Sequence, residues 1–113
     1  MRLSEFEKDC IIKNVSHFIY SNIGDLKYFL YLFGSRVDDS KKGGDIDLLL
    51  VVPKEHLSPL KIVSHQCTGL IERDLDFQKI DFHIIEEEML KNHPFYSNIE
   101  LAPLWPKGLV AMP

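Results

Sequence analysis

Cysteine is scarce in this 113-residue chain: Cys10 and Cys67 stand far apart, and neither has a Cys-x-x-Cys neighbour, so a paired zinc or dithiol redox motif is excluded. Both fall in helix-like patterns and are expected as reduced core thiols. Long apolar runs are also missing, so no membrane-spanning helix is expected. The opening residues, MRLSEFEKDC, bring in charge at once and lack the apolar stretch of a secretion signal, which makes a cytoplasmic address the expectation. Positive charge is in the minority. Against 17 Asp and Glu there are 13 Lys and Arg, a net charge of −4, so a broad footprint on RNA or DNA is not expected. Repeats and low-complexity segments are absent. What remains is ordinary for a globular chain, 45% hydrophobic and 27% charged, of a length that suits one domain over 1–113 with a single core.

Periodicity divides that domain. Ser4 with Glu7 three positions on forms a capping box, and Phe6, Cys10, Ile11, Val15, Phe18 and Ile19 recur at helical spacing, which predicts a helix from Glu5 to Ser21. Gly24 stops it, and Tyr28 to Phe33 reads as a first strand. A polar loop from Ser35 to Gly44 leads to a second strand, Asp45 to Val52, ended by Pro53. Ser58-Pro59 reads as the entry of a helix that runs to Asp74, Phe77 to Ile85 as a third strand, and EEEMLKN as a short helix ending near His93-Pro94. The tail, 94–113, carries four of the six prolines and reads as mostly irregular, with a short edge strand at Gly108 to Met112. The expected class is α/β (α+β), a small mixed sheet flanked by helices.

The chemistry concentrates at strand ends, in the run LFGSRVDDSKKGGDIDLLLVV. Gly34 allows close backbone approach to a phosphate, and the Ser35 hydroxyl can donate to a phosphate oxygen. Asp45 and Asp47 alternate with Ile46 and Leu48, so both carboxylates project from one strand face as hard oxygen ligands that suit Mg2+. Carboxylates opening so apolar a strand are costly unless something offsets their charge, and Asp81 interrupts another apolar strand, KIDFHII, in the same way. Three such aspartates on neighbouring strands could hold two Mg2+ ions on a nucleoside triphosphate, with Asp81 nearest the attacking hydroxyl. Arg36, Lys41 and Lys42 put positive charge in the intervening loop. Judged singly, Gly34-Ser35 is a strand-ending turn and Asp-x-Asp a solvated strand start. The loop matches neither a calcium-binding EF-hand nor a Walker phosphate loop. Of the five histidines, His83 lies two positions after Asp81 and shares its face.

GSRVDDSKKGGDIDLLL, with Asp81 in KIDFHII, resembles the Gly-Ser, variable loop, Asp-x-Asp and third-carboxylate pattern of the DNA polymerase β-like nucleotidyltransferase superfamily, over roughly Tyr28 to Ile85. The resemblance implies that Gly34, Ser35, Arg36 and Gly44 bind the nucleotide, that Asp45 and Asp47 bind both metal ions, and that Asp81 binds the catalytic one. The length resembles that of the minimal nucleotidyltransferases, antitoxin partners of HEPN-type toxins. That implies transfer of AMP from ATP, with Mg2+, to a tyrosine hydroxyl of a partner toxin. Val37-Asp38-Asp39 stands where many relatives carry a small residue and glycine, and within 113 residues the added domain that larger relatives use to hold a substrate is not expected. Two other readings stay open: the same chemistry on an RNA end or a small molecule, and a non-catalytic module that neutralises a toxin by contact.

Overall fold

Ser4 caps the first helix as its sequence requires. Its hydroxyl accepts from the Glu7 N–H at 3.1 Å, and Glu7 Oε1 accepts from the Ser4 N–H at 2.9 Å, so two orphan donors of the first turn are satisfied. The computed structural model describes residues 3–37 and 44–106, the side chain of Ser35 excepted. Helix α1 spans Glu5–Asn22 and buries Ile11, Val15, Phe18 and Ile19 along one stripe. It ends where Gly24 takes a left-handed φ of 102°, with the N–H groups of Ile23 and Gly24 both donating to Ile19 O.

Strand β1, Phe29–Phe33, runs into a 3-10 turn at Gly34–Arg36, and β2 covers Ile46–Val52. After a second 3-10 turn at Lys54–His56 come α2, Leu57–Ile62, and α3, Ser64–Asp74. Then β3, Ile80–Glu86, leads through α4, Glu87–Asn92, and the single turn α5, Pro94–Ser97, to β4, Ala102–Trp105. The four strands form one mixed sheet in the order β3-β2-β1-β4, with β1 antiparallel to both neighbours and β2 parallel to β3. This bears out the expected α/β (α+β) class. Among the described residues no helix is long and apolar enough to cross a membrane.

Strand β2 is buried on both faces, which is why IDLLLVV reads as a nearly unbroken apolar run. Ile46, Leu48, Leu50 and Val52 face α1, α2 and α3, where they join Ile11, Val15, Phe18, Leu60, Cys67 and Ile71 in the larger core. On the other face Leu49 and Val51 meet Tyr31, Phe33 and Ile85 under Met89, Leu90, Tyr96, Ile99 and Leu101. Cys10 and Cys67 are free thiols; Cys67 is fully buried, and burial pushes its pKa up to about 12, so it is an inert core residue.

Three expectations are corrected. The helix read from Ser58 to Asp74 starts at Leu57, inside which Pro59 occupies the first turn, and it breaks at Val63 (φ −106°, ψ 13°) into two helices. The third strand starts at Ile80, not Phe77. Asp76 and Phe77 take left-handed φ values of 55° and 65°, and the Phe77 side chain, 84% exposed, was mistaken for a strand residue because it adjoins an apolar run. The tail is more ordered than expected: α5 and β4 lie in it, and β4 adds an edge strand through Leu30, Tyr31 and Leu32 of β1. Pro103 is tolerated because β4 is an edge. The strand expected at Gly108 to Met112 falls outside the described residues.

Leu50, fully buried on β2 within the larger core, gives a direct test of this packing. Leu50→Ala is expected to cost about 2–5 kcal/mol in urea unfolding. Loss of less than about 1 kcal/mol would be incompatible with its place between the helices and the sheet.

Candidate functional site

The end of the sheet where β1 finishes and β2 and β3 begin carries the candidate site. Register sets its geometry: Phe33 on β1 is opposite Asp47 on β2, and Asp47 is opposite Asp81 on β3. Side chains in register on neighbouring strands share a face, so Phe33, Asp47 and Asp81 form one row across three strands. The row lies on the same face as Leu49, Val51 and Ile85, away from α1 and α3.

Gly34 is indispensable to this row for two reasons. Its φ of 77° is in the left-handed region, and a Cβ built on it would overlap Oδ2 of Asp47 and stand 3.0 Å from its Cγ. The Asp47 carboxylate therefore rests directly on the backbone of the turn. Asp47 is held above the ordinary carboxylate range, first by burial, then by the negative charge of Asp81, by a hydrogen bond with the Asp81 carboxyl, and by the charge of Asp45; His83 acts in the opposite sense. The Asp47 carboxyl therefore holds its proton more tightly than an ordinary carboxyl does.

Asp45 behaves differently from the other two. It lies just before β2, its side chain is nearly half exposed, and Oδ2 stands 3.8 Å from Lys79 Nζ. Two of the three expected carboxylates thus converge, and the third contributes through its charge. Among the described residues no group of three His, Cys, Asp or Glu side chains is placed to hold a metal ion.

Arg36 and Gly44, both expected at a nucleotide, meet each other. Arg36 Nη2 donates to Gly44 O at 3.3 Å and to Gln78 Oε1 at 3.2 Å, Gln78 Nε2 donates to the same Gly44 carbonyl at 3.0 Å, and Arg36 Nη1 stands 3.9 Å from Glu7 Oε2. This cross-brace ties the two ends of the 37–44 segment together and to the approach to β3. Lys41 and Lys42, with Asp38 and Asp39, lie outside the described residues. For Ser35 the structure describes the backbone only, within the 3-10 turn.

His83 shares the face of Asp81, as its spacing implied: Nε2 is 3.4 Å from Asp81 Oδ1, and Nδ1 is 3.3 Å from the Tyr96 hydroxyl. Two members of this neighbourhood had no signal in the sequence. Gln78 looked like a polar residue inside a strand, and Tyr96 lay in a tail without periodicity. No family model, no curated protein and no solved structure matches the chain.

Two outcomes are expected. Gly34→Ala combines strained backbone with overlap onto Asp47 and should cost at least about 2 kcal/mol in urea unfolding. Gly34→Ala with Asp47→Gly should cost clearly less than the sum of the single changes, because the second removes the collision partner; strict additivity would show that the contact is absent. The pH dependence follows from Asp47. Its folded form binds a proton more tightly than the unfolded chain, so the stabilisation is full below the ordinary value of 3.8 and is lost as pH rises through the raised value. Asp47→Asn should therefore melt above the wild type at neutral pH, and the gap should close on acidification; a gap that is constant with pH counts against the raised Asp47 value.

Proposed function

We propose that this chain is an Mg2+-dependent nucleotidyltransferase of the DNA polymerase β-like kind, which transfers AMP from ATP to a hydroxyl of a partner protein. The observation that carries this reading is the Asp47–Asp81 pair, in register on parallel strands, with Asp47 pressed against the left-handed turn at Gly34. The resemblance of GSRVDDSKKGGDID to the superfamily's motif supplies the reaction, and a HEPN-type toxin is the partner it implies.

The donor set fits a hard divalent ion. It offers oxygen ligands on one face, and burial first, then the neighbouring negative charges, hold Asp47 above the ordinary carboxylate range, a burden a cation would relieve. Asp47 and Asp81 would hold Mg2+, with Asp45 turning in from the rim. A bound Mg2+ would neutralise charge on the triphosphate and on the attacking oxygen. The remaining work falls to the chain. The backbone N–H groups of Gly34 and Ser35 would serve the phosphates, and the bare Cα of Gly34 leaves Asp47 room beside that turn. Arg36 and Gln78 set the approach by holding Gly44 in place. Asp81, whose side chain is 56% exposed, faces solvent where an acceptor would enter and can receive its proton. The acceptor oxygen attacks the α-phosphorus, and pyrophosphate leaves.

The chain is to be incubated with labelled ATP, Mg2+ and the product of the neighbouring gene. Label is expected on the partner, at least about 100-fold slower with Asp47→Ala or Asp81→Ala. Stable binding of the partner with no label at any time would replace this reading with that of a contact-only module.

A further inference from the structure

At the opposite end of β1 from Gly34, on the face that carries the larger core, a recess of about 470 Å3 opens between the last turns of α1, the link into β1 and the end of β4. Aromatic rings dominate it. Tyr28 stacks on Trp105, with centroids 6.3 Å apart and planes 24° from parallel. The Tyr28 hydroxyl shares a 2.6 Å hydrogen bond with Ser16 Oγ, which fixes the ring pair from the helix side. Tyr28 is buried, but Trp105 is only partly so, and Tyr20, the third ring of the recess, is 71% exposed. The polar groups are few. His17 turns onto Ser21, with Nε2 3.5 Å from its hydroxyl, and Asp25, an exposed residue, adds the one carboxylate. Among the described residues no Lys or Arg lines the recess. The last turn of α1, where the negative pole of the helix dipole lies, has no basic side chain either.

We propose that this recess is a binding site for a small organic cation of the quaternary alkylammonium class. It stands apart from the transfer reaction proposed above and shares no residue with it. Charge selects the class first. Asp25 and the carbonyl end of α1 attract a cation, whereas an anion would meet no Lys or Arg among the described lining residues. Ring composition selects it next: the face of an aromatic ring is its negative pole, and Trp holds a cation best, with Tyr behind it. Hydration then decides between kinds of cation. A primary ammonium is a compact, strongly hydrated charge with three N–H donors to satisfy, and the recess offers one carboxylate and ring faces. A methylated ammonium spreads its charge over methyl groups, has no N–H to satisfy and gains from apolar contact with Tyr20 and Trp105. The volume falls within the range of roughly 300 to 1,000 Å3 usual for small-molecule sites. Because Ser16 and Trp105 already hold the Tyr28 ring, that wall is set before a ligand arrives.

Trp105 is the sole tryptophan of the chain, so intrinsic fluorescence reads this recess directly. Choline is titrated into the full chain beside two controls, its neutral isostere 3,3-dimethylbutan-1-ol and the primary amine ethanolamine. Choline should change the Trp105 emission with a Kd of about 1 mM, at least about tenfold below that of either control. Asp25→Asn and Tyr20→Ala should each weaken choline about fivefold, and Tyr20→Phe should keep the wild-type affinity, because the ring face rather than the hydroxyl makes the contact. Both residues are exposed, so the urea midpoints of these variants should equal that of the wild type, which separates a lost contact from a lost fold. No emission change up to about 50 mM choline overturns the site. Equal affinity for the neutral isostere overturns the role of charge, and tighter binding of ethanolamine overturns the quaternary class. Unchanged choline affinity in either Asp25→Asn or Tyr20→Ala places binding outside this recess and sinks the proposal.

Discussion

The contact between the Asp47 carboxylate and the backbone of Gly34 constrains everything around it. It brings the end of β1 against the start of β2, which sets where the 37–44 segment must leave and return. It also removes water from one side of Asp47, so burial and then the nearby charge of Asp81 hold its carboxyl above the ordinary range. A side chain at residue 34 would force either the turn or the carboxylate out of place. Glycine here answers two demands, a left-handed φ and room for a neighbour.

Around this contact the polar network is divided in two. On one side, Arg36 and Gln78 converge on the carbonyl of Gly44 and stabilise the loop ends. On the other, His83 joins Asp81 to Tyr96 and hence to the turn after α4. Between them lies the carboxylate pair, with a polar brace toward the loop and aromatic rings toward the tail.

Much of the frame could be read along the chain, and the misreadings share a cause. The first helix was legible because its cap, its stripe and its glycine stop are all local. Strand β2 was legible because burial on both faces leaves an unbroken apolar run. Phe77 was misread because a left-handed pair of non-glycine residues has no sequence signature, and its ring is exposed where its neighbours are buried. Strand β4 was missed because its partner, β1, lies some seventy residues away and its pairing depends on that neighbour rather than on its own pattern. Arg36 was expected at a nucleotide, and its guanidinium braces Gly44 and Gln78, a contact that depends on residues far along the chain.

By itself the sequence determined the residue types that the site requires: a glycine where the backbone must be bare, and aspartates where an apolar strand could not carry charge without cause. Those are local consequences of sterics and solvation. Tertiary structure decided the rest. Only strand register puts Asp47 opposite Asp81 while Asp45 turns toward Lys79, and only the fold of the tail over the second face brings Tyr96 beside His83 and Phe95 beside Phe33. The reason is range: propensity and periodicity act within a few residues, whereas the charge shared by two carboxylates and the stacking of rings depend on distances that only the folded chain sets.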